Sequence, residues 1–212
     1  MDFEFLLKII GDEPVFETSL LLAGNVKAFD VRKQLDRWKS SGKIYQLRRG
    51  LYCLAPPYQK VIPHPFLVAN KIRQASYVSL QSALNFHGMI PEGVPVITSV
   101  TTNRPQSFTT PIGRFDFHHL QVNWFMGYTR VDLGNGQGAF VAAPEKSLLD
   151  LIYLQPGGET IEYLRSLRLQ ALDQLNVEKL FSFAADIKKP KLLRALEAIK
   201  VLIEEEEGYQ PL

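Results

Sequence analysis

Between Lys27 and Lys60 the hydrophobic spacing changes once, at Ser40-Ser41-Gly42, and this single change of period restricts the possible folds more than any other feature of the chain. Before it, Val31, Leu35 and Trp38 stand at i, i+4 and i+7. That is the stripe of a helix that buries one side and turns Arg32, Lys33, Asp36, Arg37 and Lys39 outward. After it, Ile44, Leu47 and the run Leu51-Tyr52-Cys53-Leu54 read as two short strands around a turn at Arg48-Arg49-Gly50. Two helices are expected ahead of this unit. Phe3, Leu6, Leu7 and Ile10 mark the first, stopped by Gly11 and Asp12-Glu13-Pro14. Phe16, Leu20, Leu21 and Ala23 mark the second, stopped by Gly24-Asn25, and Asp30 then caps the third. Three helices and a hairpin are the order of a winged helix-turn-helix over residues 1–60, in which the third helix enters a DNA major groove and the hairpin lies along the backbone.

The charge of this segment agrees with that order. It holds nine basic residues (Lys27, Arg32, Lys33, Arg37, Lys39, Lys43, Arg48, Arg49, Lys60) against Asp30 and Asp36, an excess of +7 in a chain whose formal net charge is +2. A merely solvated helix face intersperses the two signs for i, i+4 pairing, whereas these outward positions are mostly of one sign and continue into the hairpin turn. Duplex DNA is the partner that such a footprint suits, because phosphates must be neutralised before bases are read. Arg32, Lys33 and Arg37 are the helix candidates for base or phosphate contact, Lys27 precedes the helix, and Lys43, Arg48 and Arg49 are the wing candidates for phosphate. Tyr45 and Gln46 are further wing positions.

Proline punctuation at Ala55-Pro56-Pro57-Tyr58 and Pro63-His64-Pro65 marks a connector, placing a domain boundary near residue 60 and a second domain over 61–212. Its spacing predicts helices over 66–72 and 80–87, the latter with Ser79 as cap and Gly88 as terminator. Strands follow over 96–102, 114–118, 128–133 and 138–141, forming a small antiparallel sheet with a hairpin turn at Gly134-Asn135-Gly136-Gln137-Gly138. Helices from Pro144, 161–167, 177–183 and 191–203 make the C-terminal part, with a frayed acidic tail from Glu204. The fold class expected is therefore α+β: a winged helix-turn-helix followed by a mixed α+β domain with a helical C-terminal part.

Composition excludes some functions. No apolar run approaches the roughly 20 residues of a membrane span. The first residues lack the basic and small-residue pattern of a secretory signal, and one cysteine, Cys53 in an apolar strand run, points to a buried thiol in a cytoplasmic protein. Catalysis finds weak footing. Asp116 with Glu145 and Lys146 loosely echoes a magnesium-dependent nuclease, but Glu145 follows Pro144 in a helix's first turn, where the helix dipole alone favours it. His118 and His119 face opposite sides of a strand, and Ser79, His87 and Asp150 lack the turn that a serine nucleophile needs. No catalytic residue, metal or cofactor is therefore expected. Besides the nuclease, the other alternative is a protein-interaction module whose basic segment meets an acidic partner.

Three motifs carry a resemblance to a known family. Arg48-Arg49-Gly50-Leu51-Tyr52, Ser82-Ala83-Leu84-Asn85-Phe86-His87-Gly88-Met89-Ile90 and Pro144-Glu145-Lys146-Ser147-Leu148-Leu149-Asp150-Leu151-Ile152-Tyr153-Leu154 together resemble the AbiEi antitoxin family of bacterial abortive-infection systems, over most of residues 10–165. The resemblance implies a winged-helix domain that binds inverted repeats in its own promoter, as monomers side by side or as a dimer. It also implies a C-terminal domain that acts as a type IV antitoxin against a nucleotidyltransferase-like toxin without a stable protein complex. The family's wing basics correspond to Arg48 and Arg49, and its histidine–glycine helix end to His87 and Gly88. Without a toxin gene nearby, such a chain would be a stand-alone regulator.

Overall fold

The computed structural model describes residues 2–23 and 26–208, and its architecture is mixed α+β. Helix α1 (Phe3–Ile10) is capped by the Asp2 carboxylate, which accepts from the Phe5 N–H, and it ends at Gly11 with φ +59°. Strand β1 (Phe16–Glu17) and the single-turn helix α2 (Thr18–Leu21) follow. The sequence pattern here predicts one continuous helix. Instead, Phe16 and Glu17 pair antiparallel with Tyr52 and Leu51, so a distant strand supplies backbone partners that outweigh local helical spacing. The expected stop at Gly24-Asn25 lies outside the described residues.

Helix α3 (Ala28–Ser40) buries Val31, Leu35 and Trp38. Its N-cap is Lys27 rather than Asp30. Asp30 sits inside the first turn, where its charge complements the helix dipole. Strands β2 (Ile44–Arg48) and β3 (Leu51–Leu54) form the expected hairpin, turning at Arg49-Gly50 with Gly50 at φ +80°, and the small sheet has the order β1-β3-β2. Alternation along β3 explains its unbroken apolar run. Tyr52 and Leu54 face α1 and α3, together with Leu6, Leu35 and Trp38. Leu51 and Cys53 face the other way, toward the rest of the chain.

A connector with a cis Pro56–Pro57 peptide leads to α4 (Pro65–Ile72). Gln137 pins this connector from far along the chain: its side chain accepts from the His64 N–H at 2.7 Å and donates to the Ile62 carbonyl at 3.0 Å. Next come β4 (Ser76–Val78), α5 (Leu80–Phe86), β5 (Val96–Thr101), β6 (Gln106–Thr110), β7 (Gly113–His119), β8 (Tyr128–Asp132) and β9 (Gly138–Ala142). They build a six-stranded sheet in the order β6-β7-β5-β4-β9-β8. Strands β4 and β6 are not foreseen from the sequence, and the sheet is mixed rather than antiparallel, since β5–β7 and β4–β9 run parallel.

Helices α6 (Pro144–Leu154), α7 (Ile161–Ser166), α8 (Val177–Ile187) and α9 (Pro190–Gly208) complete the described chain. The segment from Glu204 to Gly208 continues α9 rather than forming an irregular tail, and residues 209–212 of that expected tail lie outside the described residues.

The large sheet is covered on both faces. On one, Val78, Phe115, Phe117 and Val141 pack with Phe66 and Ala69 of α4 and with Leu47, Leu51 and Cys53 of the hairpin, in a cluster that runs across the proline connector. On the other, Tyr77, Val100 and Ala142 meet Leu84, Leu148, Leu149 and the C-terminal helices. Cys53 is fully enclosed, and burial pushes its thiol up to about 12, so it is an inert packing group.

Candidate nucleic-acid interface

Helix α3 owes its orientation to the three apolar residues on its inner side, and everything else on it is placed by the 3.6-residue repeat. Phe29, Arg32, Lys33, Asp36, Arg37 and Ser40 share the outward side and line one shallow concavity with Ser41. Among the described residues, the side chains of Lys27, Arg32, Lys33 and Arg37 make no ion pair and no hydrogen bond, and all four are exposed. Lys39 differs, since its ammonium lies 3.5 Å from Asp36 and donates to Gln46 Oε1 at 3.2 Å, tying the helix to β2. Gln46 in turn donates to the Tyr52 hydroxyl.

The hairpin residues separate into three situations. Arg49 is exposed at the turn without a side-chain partner among the described residues. Arg48 is folded back: its guanidinium donates to the Lys71 carbonyl at 3.4 Å and to the Arg49 carbonyl at 3.0 Å, and it stands 3.6 Å from Glu17. The turn is further held by Thr18, whose N–H donates to the Gly50 carbonyl at 2.9 Å. Lys43 sits at the base of β2 with its ammonium 4.7 Å from the centre of the Phe3 ring. Arg32, Lys33 and Arg37 are thus brought together on one helix with Lys27 at its N-cap, Arg49 stands at the turn, and Lys43 and Arg48 are engaged within the fold. Tyr45 is half-buried against the cluster under the hairpin.

The residues considered for catalysis are placed quite differently. Asp116 pairs with Arg114 at 3.2 Å on β7. Glu145, buried at the start of α6, accepts from the Asn176 N–H at 3.0 Å and so docks the N-terminus of α8. Lys146 is fully enclosed, paired with Asp150 one turn on, and it donates to the Tyr77 hydroxyl at 3.0 Å. Asp150 also accepts from Ser79 Oγ at 2.8 Å and from the Tyr77 hydroxyl at 3.1 Å. Burial pushes the Asp150 carboxyl above its usual range against the pull of Lys146 and its hydrogen-bond donors, and burial with the adjacent Asp150 charge raises the Tyr77 phenol. Ser79 therefore stands at the cap position of α5 while its hydroxyl serves Asp150 instead.

His87 contacts neither Ser79 nor Asp150; its Nε2 lies 2.8 Å from the Ala142 carbonyl. His119 Nδ1 lies 3.0 Å from the Asn103 carbonyl, and His118, half-buried, is held below its ordinary value by burial. Among the described residues, no group of three His, Cys, Asp or Glu side chains is placed to hold a metal, and no helix is long and apolar enough to cross a membrane.

Sequence reasoning missed two features. One is the buried Lys146–Asp150–Tyr77–Ser79 network. Its only sequence signal is the i, i+4 spacing of Lys146 and Asp150 on a helix that is mainly apolar past Ser147. The other is Phe29, which shares the outward side of α3 with the cations and is 73% exposed. Compared with known protein families and with curated proteins, the chain matches none significantly.

Proposed function

We propose that this protein is a DNA-binding transcriptional regulator that reads duplex DNA with α3, residues 1–60 acting as a winged helix-turn-helix. The observation that carries this reading is the outward side of α3, where Arg32, Lys33 and Arg37 are exposed and unpaired among the described residues. Fold energetics give no reason to collect like charges on one face, so a polyanionic partner accounts for them. The order helix, strand, helix, helix, strand, strand, with β3 between β1 and β2, supports a winged helix, with α3 as the groove-entering helix and a short wing at Arg49. The resemblance of the motifs at 48–52, 82–90 and 144–154 to AbiEi antitoxins supports a more specific role. In it, this cytoplasmic protein represses its own operon through inverted repeats and, through residues 61–212, counters a nucleotidyltransferase-like toxin without forming a stable complex.

Binding to the chain's own upstream DNA and to scrambled duplex, titrated with salt, tests the DNA reading. The wild type is expected to prefer its own DNA. Arg32→Ala/Lys33→Ala/Arg37→Ala should flatten the log–log salt dependence by about 0.9 for every phosphate that the three side chains neutralise. Arg49→Ala should flatten it by about 0.9 in all, and Arg48→Ala should leave it unchanged, because Arg48 is spent on Glu17 and Lys71. Absence of duplex binding at low salt, or an unchanged slope in the triple variant, would overturn it.

A further inference from the structure

Phe29 is the most exposed aromatic side chain among the described residues, at 73%. It belongs to none of the three hydrophobic clusters and has no aromatic or cationic partner among the described residues. The inner side of α3 is already supplied by Val31, Leu35 and Trp38, so the fold itself has no use for Phe29. Its place on the helix is specific. It lies in the first turn, with Arg32 and Lys33 three and four residues on, and it lines the same concavity as both.

Cations and an exposed aromatic ring on one small face call for a partner that presents phosphates and an apolar group within a few ångströms of each other. The major groove of B-DNA offers one apolar group on its base edges, the thymine C5-methyl, and aromatic side chains pack on it. A groove-entering helix also places its N-terminal turn against the base edges, which is where Phe29 stands. Resting on the DNA-binding reading above, we infer that Phe29 is a specificity-determining residue that packs on the C5-methyl of a thymine in the operator, while Arg32 and Lys33 hold the flanking phosphates or base edges.

The test replaces thymine by deoxyuridine, which removes the methyl and keeps every hydrogen-bonding group. Affinities of the wild type and of Phe29→Ala are measured on the chain's own upstream DNA with thymines intact and with each half-site's thymines replaced. The wild type should lose about fourfold for each methyl it covers. Phe29→Ala should bind the thymine DNA more weakly by a similar factor and show no further loss on deoxyuridine DNA. Because the ring is exposed, the variant should unfold at the wild-type temperature, so weaker binding is not misfolding. The inference is overturned if deoxyuridine costs wild type and variant equally, since another residue then reads the methyl, or if it costs the wild type nothing. If neither protein binds duplex at low salt, the DNA-binding reading itself fails, an outcome distinct from the other two.

Discussion

Helices α3 and α6 carry the same chemistry to opposite ends. Each has a lysine and an aspartate about one turn apart: Asp36 and Lys39 on α3, Lys146 and Asp150 on α6. On α3 the pair lies 3.5 Å apart in solvent beside three cations that are unpaired among the described residues. On α6 it is sealed in the core and completed by Tyr77 and Ser79. An exposed pair contributes at most about 1 kcal/mol, and its neighbours are available to a partner. A buried pair is stripped of water, so each remaining lone pair and proton needs a protein group, and its role is to fix how β4, α5 and α6 meet. A charge run and a paired charge look alike in a sequence; solvent access separates a surface for binding from an element of architecture.

The largest test of that contrast is on α6. Lys146→Met should destabilise the fold by about 3–5 kcal/mol, as read by urea or thermal unfolding, because it strands the Asp150 carboxylate in the core. Lys146→Met/Asp150→Leu should recover part of the loss, and a single variant within about 0.5 kcal/mol of wild type would show the network to be dispensable. A smaller effect is expected at Gly127, which has φ +73° and whose added Cβ would stand 2.9 Å from Phe183 Cζ and 3.0 Å from Lys146 Cγ. Gly127→Ala should cost about 1–3 kcal/mol in the same unfolding measurement, through strain against the wall of the network. The smallest stability effect belongs to α3. Arg32→Ala, Lys33→Ala and Arg37→Ala should each change stability by no more than about 0.5 kcal/mol while DNA affinity falls. A cation variant that lost several kcal/mol would mean that these side chains serve the fold after all.

Much of the N-terminal unit was legible in the sequence. The stripe of Val31, Leu35 and Trp38 and the period change past Gly42 located α3 and the hairpin, because both depend on contacts between residues close in the chain. Around Phe16 the local pattern misleads. Helical spacing there competes with a pairing to Tyr52 that nothing nearby in the chain reveals. Strand β4, only three residues long, and the parallel pairings of the large sheet were illegible for the same reason. Of the candidate site, Arg32, Lys33 and Arg37 could be read from periodicity and Lys27 from its place just ahead of the helix. The inward fold of Arg48 could not, since it depends on Glu17 and on a carbonyl of α4.

Residue type and spacing along the chain are enough to place α3, the β2–β3 hairpin and the mostly basic outer side of α3, on which Asp36 is the acidic exception. Which charges keep their water depends instead on contacts between residues far apart in the chain. Lys146 and Asp150 meet Tyr77 and Ser79 from about seventy residues away, and desolvation is a property of everything that surrounds a group rather than of its neighbours along the chain.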